Sequence, residues 1–416
     1  MLKPRPFYRY LWTGLALVFL LALFLVFQTA SEARAARPLD DGGWLPAAAG
    51  LQPSEPNARA VSSSSQQIKL SFSFSGVQAE IEQLAGVSYT RLSGLELGST
   101  ALPGQPELPF LSRAVQIPLQ ASYSLEITAS QYREVSLVEL GLPEGIFPAQ
   151  LPQSKSGPRV PLTAPEVTAY ATDAWLPAQP AAVGEEYIQR GRRGLNIELH
   201  PVQYNPARGT LRIYSRMDVT IQLKGGDAVL TREMAQRYAS PEFEDLQAAS
   251  LLNYGLPGAE ATQLKAPPPG YLIISANSYV AGLAPFVALK QTQGFEVTLA
   301  SLTDVGGTTS TAIKTYIQNF YVANPSLVYL LLVGDMLDGD DSLPDSTDTS
   351  TTTDLYYATM DGSTDTVADI FYGRFPVRDT TQLANMVNKA IAYQSVTGSE
   401  AWVKKAAFIG TSDTTW

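Results

Sequence analysis

Ten aspartates fall between Asp335 and Asp369, and no lysine or arginine interrupts the chain between Lys314 and Arg374. Carboxylates at that density repel one another unless something positive lies among them. Carboxylate and carbonyl oxygens are the hard ligands that Ca²⁺ takes, whereas Zn²⁺ turns to nitrogen and sulfur. Asp365 and Asp369 stand i, i+4 at the entry to an apolar segment, and in extended chain residues at even spacing share one side. With Asp335 as a third carboxylate and backbone carbonyls at Gly362 and Val367, the set predicts one calcium site. From spacing alone, a solvated acidic loop with Asp and Ser as turn formers is an equal alternative.

Other reactive groups are few. The 416 residues hold no cysteine, which excludes thiol chemistry and disulfides within them. His200 is the only histidine, and its setting in Leu199-His-Pro-Val-Gln-Tyr204 predicts a half-buried strand residue without a chemical role. Arg190, Arg192 and Arg193 form a short basic cluster before a strand, read as a surface patch in preference to a protease-sensitive site. A net charge of −10 repels nucleic acid.

The elements that must position the acidic run follow from period and punctuation. Lys3, Arg5 and Arg9, an uncharged run from Leu11 to Phe27, and Ala33-Arg34-Ala35 match a secretory signal cleaved after Ala35; an uncleaved membrane anchor is the alternative. Residues 36–66, rich in Pro, Gly, Ala and Ser, predict a flexible linker. From Gln67 short strands alternate: Ile68, Leu70, Phe72 and Phe74; Tyr123, Leu125 and Ile127; then Ala114–Pro118, Leu195–Leu199 and Thr210–Leu223. Turn residues between them predict an antiparallel β sandwich or barrel within a domain spanning 67–265.

After Pro267-Pro-Pro269-Gly270 the period changes. Strands at Tyr271–Ser275, Phe295–Leu299 and Val328–Val333 alternate with helices near Ala281–Gln293 and Ser310–Tyr321, the βαβαβ order of a parallel sheet, in a second domain spanning 271–416. Ile313, Tyr316, Ile317, Phe320 and Tyr321 form one helical stripe; Leu383, Met386, Val387, Ala390 and Ile391 form another. A last strand is predicted near Ala406–Gly410, with Asp413 just past it. Asp335 and Asp413 thus follow strand carboxyl ends, where ligands of open sheets gather. Neither G-x-G-x-x-G nor a Walker loop follows the first strand, which sets a dinucleotide site aside. The fold class is α+β multidomain.

These segments resemble gingipain-type cysteine peptidases with their prodomain. Gly104-Gln-Pro-Glu-Leu-Pro109, Arg190-Gly-Arg-Arg-Gly194 and Pro201-Val-Gln-Tyr-Asn-Pro206 look like the prodomain. Tyr271-Leu-Ile-Ile-Ser, Lys290-Gln-Thr-Gln-Gly-Phe-Glu-Val297, Tyr329-Leu-Leu-Leu-Val-Gly-Asp335, Asp354-Leu-Tyr-Tyr and Asp369-Ile-Phe-Tyr-Gly-Arg-Phe375 look like the first half of the catalytic domain. The resemblance implies a caspase-like α/β domain that cleaves protein or peptide substrates with a Cys nucleophile and a His base. It also implies a prodomain packed on that domain, export to the medium or cell envelope, and calcium at Asp335, Asp365 and Asp369. Asp413 matches the position of an acid that orients the catalytic His. The nucleophile and base of the family lie beyond the position of Trp416, so the chain reads as the inert N-terminal portion of a precursor. The alternative is a non-catalytic exported binding or surface-assembly protein on a degenerate peptidase fold.

Overall fold

A computed structural model describes residues 43–153, 160–261, 267–336, 342–344 and 353–408. The predicted signal segment and Asp413 lie outside the described residues. Among the described residues, the first part holds twelve strands: Trp44–Pro46 (β1), Asn57–Ser63 (β2), Gln67–Ser73 (β3), Gly76–Leu84 (β4), Val87–Ser93 (β5), Gly98–Ser99 (β6), Pro109–Ile117 (β7), Ser122–Ser136 (β8), Ala181–Gln189 (β9), Arg192–Leu199 (β10), Val202–Asn205 (β11) and Thr210–Lys224 (β12).

Pairing within the named sheets of this part is antiparallel, as the turn-separated alternation predicts. One sheet runs β6-β7-β10-β9 and another β11-β12-β3-β2, with β8 also on β12. Ile68, Leu70 and Phe72 of β3 and Val219 and Ile221 of β12 meet Val115 and Ile117 of β7 and Leu195 and Ile197 of β10 in one core. Those side chains occupy every second position, so each strand gives one face to the core and the two sheets form a sandwich.

Within the predicted linker of residues 36–66, the described part, from residue 43, departs from that expectation, because β1 and β2 lie inside it. Ala58 and Ala60 of β2 pack on the sandwich core, opposite Phe72 and Leu70 of β3. Their small side chains give little hydrophobic signal. The serine tract that reads as a tether is the hairpin turn, with Ser64 Oγ accepting from the Gln67 amide at 3.1 Å.

Helices Ala228–Arg237 (α1) and Pro241–Ser250 (α2) follow, capped by the Asp227 and Ser240 side chains. Beyond them Gly270–Ser275 (β13), Glu296–Ser301 (β14), Leu327–Val333 (β15) and Phe371–Phe375 (β16) form a parallel sheet in the order β14-β13-β15-β16. Helices Ala284–Thr292 (α3), Ser310–Ala323 (α4) and Thr380–Tyr393 (α5) accompany it. Ile313, Ile317 and Tyr321 of α4 are buried on the sheet, with Tyr316 and Phe320 partly so, which is the stripe seen in the sequence. Among the described residues, Ala406–Phe408 are not in a strand; the rest of that predicted element is outside them.

The two parts share packing. Tyr238, at the end of α1, belongs to the core of the parallel-sheet unit and stacks on Tyr321 with ring centroids 4.8 Å apart.

Candidate functional site

The predicted basic patch is instead buried. Arg190 and Gly191 are the two residues joining β9 to β10, with φ of +49° and +73°, the left-handed pair that a tight hairpin turn requires. A side chain at Gly191 would bring its Cβ to 2.7 Å from the Met234 carbonyl oxygen. Arg190 tolerates its conformation because its surroundings hold it. Its amide donates to Asp369 Oδ1 at 2.6 Å; Nε donates to the Tyr238 carbonyl at 2.7 Å; Nη1 donates to the carbonyls of Leu327 (2.7 Å) and Asp369 (2.9 Å). Nη2 donates to the Pro325 carbonyl at 2.9 Å, and the guanidinium lies over the Phe243 ring, 4.8 Å from its centroid.

Arg192 is also buried, paired with Glu244 at 2.9 Å and bonded to Gln116 Oε1 at 2.7 Å. Only Arg193 keeps a partly solvated pair, with Glu186 at 2.6 Å. Charge in sequence suggested surface; partners brought in from distant segments make the interior affordable.

Asp369 has no exposed surface. Its Oδ2 accepts from the Met360 amide at 2.9 Å, while Oδ1 faces Arg190. Burial, with the nearby Asp361 charge, pushes its carboxyl up to about 7, against the pull of these two amides. Asp361, Asp365 and Asp369 each place a carboxylate oxygen within 4.8 Å of the others. The segment from Asp361 is not extended, as the i, i+4 argument supposed, but a loop. Asp365 builds it: Oδ2 accepts from the Asp361 amide and Oδ1 from the Val367 amide, both at 3.0 Å. Val367 therefore meets Asp365 through its N–H, and Gly362 supplies a backbone φ of +115° for the turn. Such side-chain-to-backbone bonds are the ordinary alternative to strand pairing for aspartate.

Asp335 is not a member of this group. It pairs with Arg378, which holds its carboxyl below the usual range, and its Oδ1 accepts from the Met336 amide at 2.8 Å. Asp361 stands in its place. Lys314 of α4 is the cation that the sequence argument missed. Its buried Nζ donates to the carbonyl of Tyr356 at 2.5 Å, to the Thr359 carbonyl and to Thr359 Oγ1 at 3.2 Å. Burial lowers the ammonium to about 8, against the attraction of Asp365, Asp369 and Asp361. The three carboxylates outnumber the two cations beside them, the Lys314 ammonium and the Arg190 guanidinium bonded to the Asp369 carbonyl, and the donors are oxygens. This set fits a hard cation such as Ca²⁺.

His200, just past β10, is buried, and desolvation lowers its imidazole to about 4. It is neutral near pH 7 and lies among Leu108, Phe110, Leu176 and Pro177, away from the acidic loop.

An antiparallel sandwich whose hairpin is buried in a parallel α/β unit defines a two-part protein. Residues 51–250 match the family model described as Propeptide_C25, and residues 264–415 match Peptidase family C25. The chain is 26% identical over 367 residues to Lys-gingipain HG66 of Porphyromonas gingivalis, covering 84% of this chain and 20% of that protein. It is 24% identical over 373 residues to Gingipain R2 of the same species, covering 87% and 48%. A solved complex of P. gingivalis RgpB pro- and mature domains aligns with a TM-score of 0.40 at 23% identity, covering 48% of this chain and 97% of that one. The chain thus spans about a fifth of the length of the Lys-gingipain it matches. It belongs to the gingipain-type cysteine peptidase family, C25, and carries the family's propeptide ahead of the peptidase region.

Proposed function

We propose that the chain is the propeptide and leading catalytic segment of an exported cysteine endopeptidase precursor, which cleaves peptide bonds in protein substrates. The observation that carries this reading is the order of the two family matches on one chain, propeptide first and peptidase second. Thiolate attack requires a cysteine and a base to deprotonate it. The 416 residues contain no cysteine, so polypeptide other than these residues has to supply the nucleophile. Asp413 is our assignment for the acid that orients the base. Export is supported by Lys3, Arg5 and Arg9 ahead of the apolar run and by Ala33-Arg34-Ala35.

We assign a structural calcium ion to Asp361, Asp365 and Asp369. When bound it supplies positive charge that balances the carboxylates and fixes the loop leading into β16. The chain's own residues orient that loop through the Asp365 bonds to the Asp361 and Val367 amides.

Sequencing the reading frame through the codon after Trp416 tests the functional reading. A continuation that encodes a cysteine and a histidine in the same α/β unit supports it. A stop codon there removes the peptidase claim for this molecule.

A further inference from the structure

We propose that the amino-terminal edge of the parallel sheet is a guanidinium socket, and that Arg190 filling it is the contact by which the propeptide recognises the folded catalytic unit. The inference rests on the propeptide reading and adds the chemistry of recognition. Pro325 precedes β15, Leu327 opens it, and Asp369 leads into β16. The carbonyls of all three accept from the two Nη atoms at 2.7 to 2.9 Å, so one side chain grips the starts of two neighbouring strands. The carbonyls come into range together only when β15 and β16 are paired, as they are through Tyr329 and Phe371.

The shape of the socket matches a planar fork. Nε is taken by Tyr238, and aromatic rings lie against the group, with the centroids of Phe243 and Tyr321 at 4.8 and 5.6 Å from the guanidinium carbon. An ammonium has three donors on one atom and cannot reach the four carbonyls, of Tyr238, Pro325, Leu327 and Asp369, that the three guanidinium nitrogens address. The side chain of Asp369 is engaged by the Arg190 amide instead, and Gln189 Nε2 adds a bond to the Ala368 carbonyl at 3.1 Å. The hairpin tip thus reads residues 368 and 369 through both backbone and side chain. All of this lies at the strand starts, opposite the carboxyl ends where ligands of parallel sheets gather. Arg190 therefore anchors the propeptide without occupying that side.

The test uses the full chain. In R190A, the amides of Met360 and Asp369, bonded to Asp369 Oδ2 and the Ala358 carbonyl, should exchange with solvent roughly ten- to a hundredfold faster. Amides of β12 should be unaffected. Added methylguanidinium chloride should restore the slow exchange in R190A, and methylammonium chloride should not. R190K, which keeps the charge but loses the fork, should behave like R190A. Equal effects of the two salts on R190A, or wild-type protection in R190K, would overturn the proposal. Should R190A fail to fold, R190K decides alone. Neither readout involves peptide cleavage, so an inactive chain can pass and an active peptidase can fail.

Discussion

Arg374 and Asp354, twenty residues apart, close a two-bonded fork: Nε donates to Oδ2 at 2.9 Å and Nη2 to Oδ1 at 2.6 Å. The remaining nitrogen, Nη1, donates to the carbonyls of Gly334 and Leu343, each at 2.9 Å. One arginine of β16 therefore ties together the carboxyl end of β15, the stretch at Leu343 and the turn that opens Leu355–Ala358. The separate motifs Gly334-Asp335, Asp354-Leu-Tyr-Tyr and Gly373-Arg-Phe375 are parts of a single arrangement.

Breaking that fork should be costly. Both side chains are largely buried, and removing one partner of a buried pair leaves the other charge uncompensated, at about 3–5 kcal/mol. R374M should therefore lower the unfolding free energy of the parallel-sheet unit by that amount, read as a fall in the denaturant midpoint at unchanged slope. A loss below about 1 kcal/mol, the range of exposed pairs, would mean that solvent reaches the fork.

The calcium assignment predicts that millimolar Ca²⁺ raises the melting temperature of the full chain, because a ligand held only by the folded state stabilises it. D361A/D365A should abolish the rise, and D335A should keep it. If D335A abolishes the rise and D361A/D365A does not, the membership drawn from the structure is wrong.

Asp369 sets a pH dependence. Its folded carboxyl, near 7, binds a proton that the unfolded chain, at the ordinary value of 3.8, has released. Between those values the folded state carries more protons, so stability falls as pH rises. The contribution is complete below about 4 and is lost as pH passes 7. Melting temperature in the absence of metal should thus decline from pH 5 to 8, and D369N should flatten the decline. An unchanged slope in D369N would place the titrating group elsewhere.

Much of this was legible in the sequence where a residue's role depends on its neighbours along the chain. The run Val328–Val333 is a buried strand, and the stripe from Ile313 to Tyr321 packs as its spacing indicates. The acidic run was visible, and so was the need for positive charge in it. Which cations answer it was not. Arg190 meets Asp369 across 179 residues, and Lys314 meets Thr359 across 45. Pairings at such range leave no periodic trace. Asp361 was missed because an extended segment was assumed, whereas aspartates bonding to nearby amides turn the chain into a loop. The same blindness made Arg190 and Arg192 look like surface.

The most direct test of the central claim is peptide cleavage by the purified product of the complete reading frame, after removal of the propeptide, with and without thiol alkylation. The account predicts cleavage that alkylation abolishes, and far less of it while the propeptide is attached. Cleavage indifferent to alkylation, or none after the propeptide is removed from a folded product, would contradict it.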